Sequence, residues 1–122
     1  MSKVMRPIQP FHQNDYDNTE DLEVTVAADV LAIPVTHLYV EKTTGGDPEA
    51  LTLADGQPGQ FLVINLTTDG GGTGTLTPTT TTGFSTIAFA VAIDQAVLFY
   101  VDDSTGWIVW SATGAAGPPV IA

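Results

Sequence analysis

The sequence predicts an all-β fold, a compact antiparallel sandwich or barrel of jelly-roll type with extended arms at both ends. Three observations predict it. Short apolar runs recur through the middle of the chain, and each is stopped by a Gly, Pro or Asp-Gly turn signal. Thr, Val, Ile and aromatic residues dominate those runs, the types that fit a pleated, half-buried surface. No window carries apolar residues at helical spacing over several turns.

Residues 1–20 show neither period. Pro7 and Pro10 interrupt them, and His12, Gln13, Asn14, Asp15, Tyr16, Asp17 and Asn18 form a polar cluster. The segment reads as an extended N-terminal arm whose apolar anchors, Val4, Met5, Ile8, Phe11 and Tyr16, gain enough to offset ordering only against a partner's surface. A β domain follows over residues 21–112. Leu22, Val24 and Val26 alternate with Glu23 and Thr25, which marks a half-buried strand. Residues 30–33 are halted by Pro34. Residues 35–42 form the next strand, with Val35, His37, Tyr39 and Glu41 on one face and Thr36, Leu38, Val40 and Lys42 on the other.

The middle of the chain reads as a β-meander. Residues 50–53 are stopped by Asp55-Gly56 and Pro58-Gly59, which place Leu53 and Phe61 at the ends of adjacent antiparallel strands. Residues 61–66 are stopped by Asp69-Gly70-Gly71-Gly72, expected to be a hairpin. Residues 74–77 precede a Thr79–Gly83 edge or loop, where Pro78 and Gly83 break a ladder. Strands over residues 86–90 and 96–101 come next. After Asp102-Asp103-Ser104-Thr105-Gly106 the domain closes with residues 107–110. Residues 113–122 read as an extended C-terminal tail with Val120 and Ile121 as anchors.

A chain of 122 residues is one domain with room for a core. With no cysteine, disulfides, thiolate metal sites and cysteine nucleophiles are closed to it. Three Lys and Arg against 14 Asp and Glu give a formal charge of −11. Such a chain repels nucleic-acid backbones and anionic membranes, and it stays soluble. Residues 1–11 lack the apolar run of a secretory signal, and no run approaches the ~20 residues of a membrane span. The expectation is a protein kept in the cytoplasm unless it leaves within a particle, so Asn65-Leu66-Thr67 is no glycosylation site.

Candidate chemistry is thin. Asp69, Asp94, Asp102 and Asp103 fall at turns, where aspartate caps backbone amides, and no calcium-loop spacing surrounds them. Gly70-Gly71-Gly72-Thr73-Gly74 lacks the Lys-Ser/Thr of a phosphate loop. His12 and His37 have no second ligand or nucleophile at useful spacing. The chain reads as neither an enzyme nor a holder of metal or cofactor. Aromatic residues Phe99, Tyr100, Trp107 and Trp110 remain. Alternation points the two tryptophans to opposite faces, one to the core and one outward, and Tyr100, Trp107 and Trp110 are candidate contacts between protomers.

The block Glu49 to Gln60, then Asp69 to Pro78, Gly83 to Ile87 and Val101 to Trp107 resembles a module of small virion proteins of tailed bacteriophages. It covers about half the chain. Such modules occur in capsid decoration (cement) proteins and in fibre or spike proteins. The resemblance implies a trimeric β-sandwich or barrel that binds the major capsid protein on the outer shell of the virion and stabilises it against genome pressure. A fibre needs a long shaft, and neither repeats nor heptads are present. The alternative it leaves is a fibre-tip or carbohydrate-receptor module.

Overall fold

Burial alternates residue by residue along most of the strands, as half-buried sheets require. A computed structural model describes residues 22–122. In chain order the strands are β1 (Glu23–Val26), β2 (Tyr39–Thr43), β3 (Glu49–Leu53), β4 (Gln60–Thr68), β5 (Gly74–Pro78), β6 (Ile87–Phe89), β7 (Gln95–Tyr100), β8 (Trp107–Thr113) and β9 (Val120–Ile121). No helix occurs among the described residues, so none there crosses a membrane as a helix.

The strands form a five-stranded sheet, ordered β1-β2-β4-β7-β8, and a four-stranded sheet, ordered β3-β5-β6-β9. One apolar cluster joins them. Val26, Val40, Leu62, Ile64, Leu66, Ala96, Leu98, Tyr100 and Trp107 come from the larger sheet, while Leu51, Leu53, Leu76, Ile87 and Phe89 come from the smaller. The fold is thus the expected all-β sandwich, with the barrel alternative removed because the sheets do not close.

The strand partners differ from the meander. β1–β2, β2–β4 and β3–β5 pair in parallel, so both sheets are mixed rather than purely antiparallel. Leu53 and Phe61 end up in different sheets, because the Ala54 to Gly59 link crosses between them. The glycine run after Asp69 is likewise a crossover from β4 to β5, not a hairpin. Its glycines are needed for backbone contact: Gly72 donates to the Gly45 carbonyl at 2.9 Å, Gly70 donates to Thr44 Oγ1 at 3.2 Å, and a Cβ on either would strike the 44–47 backbone.

Two further segments tie the sheets together. The β1–β2 connection touches the smaller sheet, with Ile33 donating to the Thr52 carbonyl at 2.8 Å and Thr52 donating back to Leu31 at 2.9 Å. This is the run expected over residues 30–33. The Thr79–Gly83 loop reaches the other way, its Thr80 carbonyl accepting from Trp107 N at 2.9 Å. At the C-terminus β9 pairs with β6, so Val120 and Ile121 anchor on the chain's own smaller sheet. Residues 35–38 are a turn entering β2, since Pro34 and the turn at Val35 and Thr36 delay the ladder until Tyr39.

Candidate interaction surface

Strand β8 carries a bulge. Leu98 pairs with Val109 and Val97 with Ser111, which leaves Trp110 as the extra residue between them. A bulge re-aims side chains locally. Here Trp110 and Ser111 both face outward, and Ala112 returns opposite the buried Ala96. Trp110 is 61 % exposed.

On the neighbouring strands the register places Phe61 of β4 opposite Phe99 of β7. Their ring centroids lie 4.7 Å apart, and Trp110 meets Phe61 edge-on at 5.3 Å and Phe99 at 5.6 Å. Three aromatic rings therefore pack against one another on the outside of the sheet rather than in the core. Tyr39, Val63, Val97 and Ile108 extend this outer face, each half-buried. Asn65 Nδ2 donates to the Tyr39 hydroxyl at 2.9 Å, and Thr25 Oγ1 donates to Glu41 at 3.3 Å, forming a polar margin.

At Phe61 the face meets a cleft of about 550 Å³ at the end of the sandwich. Leu22, Val35 and Leu38 give it apolar walls, and His37, Asp55, Gln57 and Gln60 give it polar ones. Leu22 and Leu38 are both more than two-fifths exposed. Gln60 is held by donating to the Val35 carbonyl while its Oε1 accepts from Gln57 N at 2.9 Å. Apolar walls with a few fixed polar groups are the makeup of a binding site.

Under the face the scaffold is rigid. Trp107 has no accessible surface, donates from Nε1 to the Ala54 carbonyl at 3.0 Å, and meets Tyr100 edge-on at 5.1 Å. Tyr100, equally buried, donates to Asp103 Oδ1 at 2.9 Å. Burial, that hydrogen bond and the nearby carboxylates push its phenol up to about 12. The sequence reading groups both residues with Trp110 as protomer contacts. Their burial in the chain's own core removes them, and Trp110 alone stays available. The proposed arm anchors Val4, Met5, Ile8, Phe11 and Tyr16 lie outside the described residues.

A second buried feature sits between the sheets. Lys42 Nζ forms an ion pair with Glu49 Oε1 at 2.8 Å and donates to the Ala27 carbonyl at 2.8 Å and to the Val30 carbonyl at 2.7 Å. Glu49 Oε2 accepts from Gly45 N at 2.6 Å. Burial raises the Glu49 carboxyl, but the Lys42 hydrogen bond, the amides of Gly45 and Asp29 and the Lys42 charge outweigh it, leaving it below the usual range.

The turn aspartates behave as caps. Asp69 accepts from Gly71 N, Asp94 from the amides of Ala90 and Val91, and Asp102 from those of Ser104 and Thr105. The Thr105 amide leads the causes that lower the Asp102 carboxyl. Among the described residues no group of three His, Asp or Glu is placed to hold a metal ion. Compared with family models, curated proteins and solved structures, the chain matches none of them.

The sequence separates the two tryptophans onto opposite faces, and the structure makes Trp110 the outward one and places Phe99 beside it. The facing of Phe61 is not readable from the sequence, because residues 61–64 are apolar on both parities. Only its pairing opposite Phe99 reveals its place.

Proposed function

We propose that this chain is a non-enzymatic virion structural protein, a capsid decoration protein that docks on the outer shell of a tailed-bacteriophage capsid as a trimer. The observation that carries the proposal is the packed Phe61–Phe99–Trp110 face on an otherwise acidic body. Exposed aromatic clusters with a polar margin are what dominates binding energy at protein interfaces. The resemblance of the turn blocks to virion modules supplies the kind of partner, the major capsid protein. Rigid seating matters for this role. The bulge holds Trp110 against two neighbouring rings, so little side-chain entropy is lost on docking. Arm anchors between Val4 and Tyr16 add contacts with neighbouring subunits, and three linked arms act by avidity.

The test is to challenge purified capsids with heat in the presence and absence of the protein. The reading expects a higher disruption temperature with the protein and no protection by a Phe61→Ser/Phe99→Ser/Trp110→Ser variant. One observation favours a second reading: the cleft beside Phe61 offers His37, Asp55 and Gln57 next to an aromatic ring, as a carbohydrate site does. Binding to host glycans without any change in capsid stability would replace the first reading by the second.

A further inference from the structure

The aromatic face and its cleft are unpaired within residues 22–122, and charge restricts what covers them. Over those residues one Lys opposes ten Asp and Glu, a formal charge of −9, and that one Lys is sealed in the pair with Glu49. Glu23 and Glu41 lie on the same face of the sheet, and Asp55 lines the cleft. A second sandwich brought against this surface adds like charge to like charge.

The remaining two cations, Lys3 and Arg6, lie within residues 1–11, where no acid is present. They alternate with the apolar residues Val4, Met5, Ile8 and Phe11. The chain enters the described structure at Leu22, itself a wall of the cleft. The roughly eleven residues from Leu22 back to Phe11 span up to ~36 Å extended. A sheet of five strands is about 20 Å across at ~4.8 Å per strand. Composition, charge and reach therefore agree on one occupant.

We propose that the basic, apolar segment of residues 3–11 covers the cleft and the Phe61–Phe99–Trp110 face of its own chain in the free protein. Its apolar side chains shield the rings, and Lys3 and Arg6 answer the carboxylates around them. The segment is then a built-in cover that a docking partner displaces. The inference concerns the free protein and stands whichever partner the face takes.

The full chain has no cysteine, so Gln9→Cys gives a unique attachment for a spin label. The expected result is strong broadening of the Phe61, Phe99 and Trp110 amide signals when label and isotope share a chain. Mixtures of labelled chains with separately isotope-enriched chains should show none. Adding Lys3→Glu and Arg6→Glu should relieve the broadening at low salt. Absence of broadening in the singly labelled chain overturns the proposal. Broadening in the mixture overturns it too, because the cover then comes from another copy. As a second reading, acrylamide quenching reports Trp110, since Trp107 is buried. Replacing Val4, Met5, Ile8 and Phe11 together by Ser should raise it severalfold, and unchanged quenching counts against the proposal.

Discussion

Replacing Lys42 by Met cuts the ion pair between the sheets while keeping the length and apolar stem of the side chain. The ammonium makes three short contacts, to Glu49, Ala27 and Val30, and both charged groups are almost wholly buried. Removing one partner leaves a buried carboxylate uncompensated, which costs about 3–5 kcal/mol. Of the two carbonyls, that of Ala27 keeps the Val30 amide as a donor at 3.3 Å. Urea unfolding at neutral pH reads the loss directly. Lys42→Met/Glu49→Leu should recover to within about 2 kcal/mol of the parent, since a well-packed apolar pair is often neutral and the Gly45 amide is the main group left without its partner.

The pH dependence supplies a second check. In the parent the Glu49 carboxyl is lowered in the folded state, so its contribution is present above its ordinary value of 4.5 and lost as pH falls through the folded value. In Lys42→Met the lowering causes due to Lys42 vanish and burial raises the carboxyl, so the mutant is penalised at neutral pH and relieved on protonation. The stability gap should therefore close below about pH 4.5. A loss under ~1 kcal/mol for Lys42→Met, or a double variant as damaged as the sum of both single variants, would refute the reasoning.

Three other perturbations probe the scaffold. Trp107→Ala removes the largest core side chain and strands the Ala54 carbonyl, and should cost about 3–5 kcal/mol in denaturant melts. Gly56→Ala places a Cβ 2.9 Å from the Trp107 ring and 2.5 Å from Gln60 Oε1, and should cost about 1–3 kcal/mol by the same assay. Tyr100, raised to about 12, contributes stability that is complete below pH 10 and lost as pH rises through about 12. Phenolate absorbance should show one tyrosine titrating last, together with unfolding, and Tyr100→Phe should remove that late step.

The β class was legible because alternation and turn residues are local properties. So was the opposite facing of Trp107 and Trp110, which comes from strand parity, and so were the capping roles of Asp69, Asp94 and Asp102. Strand partners were not legible. Asp55-Gly56 and the run from Gly70 to Gly72 look the same whether a turn closes a hairpin or carries the chain to the other sheet, since both need glycine. The β8 bulge is invisible for a similar reason: one extra residue leaves the pattern from Trp107 to Trp110 intact and changes only the facing of Ser111 and the residues after it. Lys42 was placed on the face of Val40, yet its partner Glu49 lies in the other sheet, beyond any local pattern. Tyr100 shares parity with Leu98, and the core of both sheets was needed to close over it.

The most direct test of the proposed docking face is co-sedimentation of the protein with purified tailed-bacteriophage capsids, the partner that the proposed function assigns to it. Phe61, Phe99 and Trp110, replaced together by Ser, should abolish pelleting with capsids while the far-ultraviolet spectrum of the sandwich is retained. Undiminished pelleting of the folded variant would contradict the account, because the shell would then be held by some surface other than the aromatic face.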